Sequence, residues 1–333
     1  MRKLLLFLLT TCMAAPVASV TVHTIGDSTM CNYKDDDERR GWCQLLQMYL
    51  EGITVNNRAL SGRSSKQFYN EEWADVKKDF QTGDYLIIQF AHNDEKGNGL
   101  DRDEVMELIG NYGSVNERGT CPYTTYHDYL KKYINEAREA GVTPILVSSI
   151  CRGKFNADGT VTRSGRHDLG DNYKVVDVAN KKVINGTKLD ANNHKMDYTE
   201  NMRIVAEEMN VQYVDLMSVT QKEWERIYAE GGKSTVETYF RSGDETHVNE
   251  KGAILVGKLA VQAMYDADVL RPYIKKDAIS SGITQTEVHT EPTISYYTLD
   301  GKQIDSTDNA FHGICIEKRR YADHSVKTVK VVR

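Results

Sequence analysis

The run Tyr85-Leu86-Ile87-Ile88-Gln89-Phe90 limits the possible folds of this 333-residue chain more than any other stretch. It is nearly continuous in apolar residues and is introduced by Gly83-Asp84. A strand that is apolar on both faces must be covered on both, as strands inside a parallel sheet are. Val20 to Ile25 alternates apolar and polar residues as a strand does. Ile53 to Asn57, Val142 to Ser149 and Val211 to Leu216 read as further short strands. Helical patterns lie between them. Trp42, Leu45, Leu46 and Tyr49 fall on one face of a helix; Trp73, Val76 and Phe80 mark a second, and Tyr126 to Ala137 a third. Met202 to Met209, Thr220 to Ala229 and Ala253 to Met264 complete the set. Strand and helix alternate through about residue 270, so the spacing predicts an α/β domain with a parallel sheet.

Binding and catalytic groups in such sheets gather at the carboxyl ends of the strands. Ser28 follows the first strand in Gly26-Asp27-Ser28-Thr29-Met30. Asp27 and Ser28 are favoured helix N-cap types, so Ser28 is expected where a strand gives way to a helix. Its hydroxyl would be exposed there, beside free backbone N–H groups. Gly62 lies in the polar loop Arg58 to Ser65, and Asn93 follows the Tyr85–Phe90 strand in Ala91-His92-Asn93-Asp94. All three are expected at one edge of the sheet. The long segments after Asn93 and after Cys151 leave the same edge.

Asp244-Glu245-Thr246-His247-Val248-Asn249 precedes the last helix. An aspartate and a histidine three apart in a tight turn can face the same way. The carboxylate then holds one ring nitrogen and the other is left to take a proton from a serine. Ser28, His247 and Asp244 are thus the candidate nucleophile, base and orienter. The Ser28 and Gly62 amides and the Asn93 side chain are candidate oxyanion donors. Asp27, Arg63 and His92 are candidate substrate contacts. His23, His127, His167 and His194 are read as structural, the first in the core and the others on the surface. Asp35-Asp36-Asp37-Glu38 lacks the spacing of a calcium loop and reads as solvated.

With these residues in view, the chain resembles the SGNH (GDSL-type) hydrolases, and among them the rhamnogalacturonan acetylesterase-like group. The blocks that carry the likeness are Gly26 to Met30, Gly41-Trp42, Gly62-Arg63-Ser64-Ser65, Ala91 to Asp94 and Asp244 to His247, in family order over about residues 20 to 265. Two positions depart from the pattern. Ala91 stands where the family has glycine and is expected to narrow the cleft; Cys43 follows Gly41-Trp42 in place of glycine. The resemblance implies a flavodoxin-like three-layer α/β/α sandwich with no cofactor and no metal. It implies an acetylesterase acting through a covalent acyl-enzyme on acetylated plant polysaccharide or oligosaccharide, rhamnogalacturonan or pectin first. Other acylated glycans such as xylan, a lipid or a thioester are the alternatives within this chemistry. A glycan-binding surface protein on an esterase fold is the alternative outside it.

The chain begins Met1-Arg2-Lys3, then Leu4 to Leu9, then small residues to Ser19, the pattern of a cleaved secretory leader. Residues 1–19 are therefore read as a signal peptide, with export to the periplasm, cell surface or medium. No other stretch is long and apolar enough to span a bilayer, and no membrane insertion is expected after cleavage. Asp and Glu total 48 against 42 Lys and Arg, and no basic cluster is interleaved with aromatics, so nucleic acid is not an expected partner. Cys31 with Cys43, or Cys121 with Cys151, would be candidate disulfides in an oxidising compartment. Beyond the catalytic domain, 20–275, the character changes. Residues 284–333 read as a small β-rich segment, with Asp300-Gly301 as a hairpin turn. It is similar to the C-terminal segments that sort some secreted bacterial proteins, and is expected to be a sorting or accessory module.

Overall fold

The computed structural model describes residues 19–111, 113–170, 173–186, 196–279, 293–298, 302–304, 314–320 and 326–332. Nearly all of the expected leader, and His194, lie outside them. The chain divides into two compact units, Met1–Ile279 and Ser280–Arg333.

The first unit is built on five parallel strands: β1 (Thr21–Gly26), β2 (Thr54–Asn57), β3 (Tyr85–Gln89), β4 (Thr143–Val147) and, after a short antiparallel hairpin of β5 (Lys174–Asp177) and β6 (Lys182–Asn185), β7 (Gln212–Val214). Their order is β2-β1-β3-β4-β7. The chain therefore turns back at β1 and resumes on its other side with β3, and a crevice opens where these two carboxyl ends diverge. Pleating sends alternate residues to opposite faces. Val22, Ile87, Ile145 and Val147 enter one apolar layer with Trp42, Leu46, Trp224 and Val256. Ile25, Leu86, Ile88 and Leu146 enter the other with Phe68, Trp73, Tyr133 and Val205. The run at β3 is apolar from Leu86 to Ile88 because both its faces are core.

Helices α1 (Ser65–Glu71), α2 (Trp73–Val76), α4 (His127–Glu139) and α5 (Tyr198–Met209) cover the second layer, while α6 (Leu216–Glu237) and α7 (Glu250–Asp266) cover the first; α3 (Arg102–Ile109) lies between α2 and α4 in the chain. The result is the parallel α/β sheet that the alternation predicts, covered on both faces as the α/β/α sandwich that the resemblance implies. Among the described residues no helix is long and apolar enough to cross a membrane.

Local differences from the sequence reading have physical causes. Residues Trp42–Tyr49 form 3₁₀ turns, not an α-helix. With three residues per turn, Cys43, Leu46 and Tyr49 share the buried side, and Leu45 is only half-buried. Helix α1 begins where a polar loop was expected to end. Its buried Ser65 and Lys66 are satisfied by Asp94 and Asp101, so no apolar period announces it. Helix α3 has a single buried residue, Val105, and is started by Asp101, whose carboxylate accepts from the Asp103 and Glu104 amides. The candidate disulfides do not form: Cys31 is not joined to Cys43, nor Cys121 to Cys151.

In the second unit, β8 (Thr293–Tyr297), β9 (Gln303–Ile304), β10 (Ile314–Arg320) and β11 (Val326–Val332) form an antiparallel sheet in the order β11-β10-β8-β9. The Asp300-Gly301 turn lies outside the described residues.

Candidate active site

Ser28 stands two residues beyond β1, on a single tight turn in which the Met30 and Cys31 amides both donate to the Asp27 carbonyl. The helix expected to begin here does not; the next helical turns start at Trp42. Asp27 is turned inward instead of capping a helix. Its Oδ1 accepts from the Thr29 amide (2.9 Å) and the Thr29 hydroxyl (2.8 Å). Burial pushes its pKa up, against the pull of those bonds. Asp27 is wholly buried, so it shapes the turn and does not face substrate.

The turn is gripped from several sides. The Tyr33 hydroxyl donates to the Ser28 carbonyl at 2.8 Å. Gln89 Nε2 donates to Thr29 Oγ1 (2.9 Å), and the Trp42 indole donates to Gln89 Oε1 (3.1 Å). Gly41 lets the chain pass against this turn: a Cβ there would lie 2.2 Å from the Cys31 carbonyl oxygen and 2.3 Å from the Met30 carbonyl carbon. The Gly41-Trp42 block is thus a support for the serine.

The Ser28 hydroxyl lies 2.9 Å from His247 Nε2, and His247 Nδ1 lies 2.7 Å from Asp244 Oδ2. The other carboxylate oxygen, Oδ1, accepts from the Thr246 amide (2.7 Å) and the His247 amide (3.1 Å). Burial acts against ionisation of Asp244, but these amides and the imidazole outweigh it and hold its pKa below the ordinary range. Oδ2 accepts from the imidazole, so the Nδ1 proton is fixed toward Asp244 and the Nε2 lone pair faces Ser28.

Gly62 has φ of 79°, a left-handed conformation that favours glycine. Neither its amide nor that of Ser28 has an acceptor among the described residues. Asn93 Nδ2 donates to the Arg63 carbonyl at 3.0 Å, and its Oδ1 accepts a longer bond, 3.4 Å, from Arg118. These contacts orient the amide and leave one Nδ2 proton unclaimed. The Arg63 side chain pairs with Glu71 at 2.7 Å and is absent from the cleft lining. Here it holds the loop. Ala91 does not narrow the cleft; its methyl group is packed in the apolar layer with Phe68 and Phe90.

A cleft of about 170 Å³ lies over Ser28, lined by His92, Asn93, Glu95, Lys96, Arg152, Lys154, Thr246 and His247. His92 is almost fully buried, and burial, aided by nearby positive groups, drives its pKa well below the usual imidazole value. It stays neutral, edge-on to His167 with ring centroids 4.2 Å apart. His167, expected at the surface, is completely buried. Its Nδ1 lies 2.9 Å from Glu95, which also takes Arg152 Nη2 at 2.5 Å. Burial opposes the Glu95 charge, but His167 and Arg152 bring its pKa down to about 2. Glu95 and Arg152 are site residues that periodicity and motif did not mark. Glu95 follows the asparagine block directly and Arg152 follows β4, so strand-end position was the available signal.

A nucleophile relay with amide donors beside it is the arrangement of an acyl-transfer hydrolase. The sequence model of the GDSL-like lipase/acylhydrolase family matches residues 24–253. The chain belongs to this family. Among curated relatives of this family member, a probable rhamnogalacturonan acetylesterase of Bacillus subtilis, YesY, is 32% identical over 249 residues, covering 73% of this chain and 91% of the relative. The rhamnogalacturonan acetylesterase RhgT of the same organism is 28% identical over 258 residues, covering 74% and 89%. The crystal structure of YxiM, also from Bacillus subtilis, superposes with a TM-score of 0.53 at 20% identity, covering 76% of this chain and 58% of that one. That likeness extends to the fold.

Proposed function

We propose that this GDSL hydrolase is a serine acetylesterase that deacetylates a plant cell-wall polysaccharide, with rhamnogalacturonan or a related pectin as substrate. The observation that carries the reading is the unbroken relay from Asp244 through His247 to Ser28, with spacings of 2.7 and 2.9 Å. Ser28 Oγ attacks the acetyl carbonyl while His247 Nε2 takes its proton, and Asp244 stabilises the resulting imidazolium. The Ser28 and Gly62 amides and Asn93 Nδ2 receive the oxyanion. Collapse breaks the bond to the sugar oxygen, which takes the proton from the His247 imidazolium and leaves as the hydroxyl. Water, deprotonated by the same imidazole, then attacks the acetyl-serine and frees acetate and Ser28.

The small volume of the cleft, about 170 Å³, lies below the usual range of drug-sized pockets and suits a short acyl group. The substrate is supported by the names of the two curated Bacillus relatives. Export belongs to the same reading and is supported by the leader-like start of the sequence.

The test is acetate release from acetylated rhamnogalacturonan, homogalacturonan and xylan, with Ser28→Ala as the control. Release from a pectic polymer that disappears in Ser28→Ala supports the proposal. Release from xylan alone overturns the substrate, and unchanged release by Ser28→Ala overturns the mechanism.

A further inference from the structure

Three cavities meet at Lys96. The first is the cleft over Ser28. The second, of about 650 Å³, shares Glu95 and Lys96 with it and runs along Thr162 to Gly170. The third, of about 400 Å³, is lined by Lys96, Arg102, Asn116, Glu117 and Arg118. A glycan lying across Ser28 and leaving through either neighbouring cavity passes Lys96.

The charges along this surface do not balance. Each acid lining these three cavities already has a cation: Glu95 has Arg152, Asp168 has Arg163 and Glu117 has Arg102. Lys96 has no ion pair or side-chain hydrogen bond among the described residues. Arg118 has no ion pair there either, only its long bond to Asn93. Its guanidinium lies over Gly62, 3.9 Å from where a Cβ would stand. Lys154 is also unpaired, and it lines a wider cavity beyond Asp244 as well, where Glu38, Glu250, Arg40 and Lys251 have no ion pair among the described residues. Positive charge is therefore left over on the Lys96 side, in a chain whose net charge is −6. A polyanion is repelled by the molecule as a whole and drawn to this edge of the cleft.

We propose that Lys96 and Arg118 are specificity-determining residues that bind sugar carboxylates flanking the acetylated residue, and so select an anionic glycan over a neutral one. This rests on the reading of the protein as a glycan acetylesterase. A neutral glycan gives these two cations no counter-charge, whereas a uronate offers Arg118 a bidentate partner and Lys96 a point contact.

The test compares one acetylated oligouronide in two forms, with its carboxyls free and with them methyl-esterified. The readout is the ratio of kcat/KM for the free acid to that for the ester. A ratio of about ten is expected for the native protein at low salt, falling as salt screens partly exposed pairs. Lys96→Gln should lower the ratio severalfold, and Lys96→Gln with Arg118→Gln should bring it close to one. A native ratio at or below one overturns the proposal, as does a ratio unmoved by salt or one that the folded variants retain. Acetate release from acetylated xylan but from neither uronide form overturns the inference and leaves the esterase standing. Release from no glycan, with a small acetate ester still cleaved, removes the glycan substrate and the inference together.

Discussion

Arg152 Nε donates to Thr246 Oγ1 at 3.2 Å, and this bond ties the loop after β4 to the turn that carries Asp244 and His247. The guanidinium also holds Glu95 and the Ser164 carbonyl. One buried arginine thus links the asparagine block to the acid–base turn. Thr246→Val removes only the hydroxyl, and kcat is expected to fall about tenfold as the imidazole loses alignment. Arg152→Met leaves the buried Glu95 carboxylate with His167 as its remaining partner and should cost about 3 kcal/mol of stability. Steady-state kinetics and urea unfolding of the two variants separate these effects. Native stability in Arg152→Met would show that the charge chain is not structural.

Gly41 meets backbone, not a side chain that can move aside. A methyl group 2.2 Å from the Cys31 carbonyl oxygen forces the Ser28 turn or the Trp42 segment to shift. Gly41→Ala is expected to destabilise the protein by about 2 kcal/mol, the scale of overpacking, and to lower kcat with it. Chemical denaturation gives the first number and hydrolysis of a small acetate ester the second.

The sheet was legible because β3 and β4 are short apolar runs and β1 alternates apolar with polar residues. The residues of the relay were legible because Ser28 stands just past a strand end and Asp244 and His247 stand three apart in the turn before the last helix. Helix α1 was not, since it buries Ser65 and Lys66 against acids, and apolar periodicity cannot register a buried polar face. His167 read as surface because its neighbours in sequence are polar, yet Glu95 and Arg152 reach it from 72 and 15 residues away. The roles of Asp27 and Arg63 were hidden for the same reason: a polar residue in a loop looks alike whether it serves the fold or a ligand.

Asp94 shows how such a group is read by titration. It is fully buried, and burial pushes its pKa up to about 7 despite bonds from Ser65 and Thr120. Its folded pKa thus exceeds the unfolded value. Between that unfolded value, near 3.8, and about 7 the folded protein binds more protons at this site, so its contribution to stability falls as pH rises. Asp94→Asn cannot titrate. Thermal unfolding of both proteins from about pH 4 to 8 should show the native protein losing stability relative to the variant as pH rises. A constant difference across that range would remove Asp94 as the cause.

Asp244→Asn isolates the orienting carboxylate. Oδ1 accepts two backbone amides and Oδ2 accepts the imidazole, so all three partners need an acceptor. An asparagine placed with its oxygen on the amides turns an NH₂ group toward His247 Nδ1. The ring then carries its proton on Nε2 and cannot take one from Ser28. A fall in kcat of about 10⁴ is expected at neutral pH, the scale of losing the correct tautomer in such relays. The native pH profile should agree with this. The Asp244 pKa is held below its ordinary range, so this carboxylate stays ionised in weak acid and adds no second step to the acid limb. The acid limb of kcat/KM should therefore fall with a slope of one, from the imidazole alone. A slope of two would mean that a second group titrates with it, and would require a different base–orienter pair from His247 and Asp244.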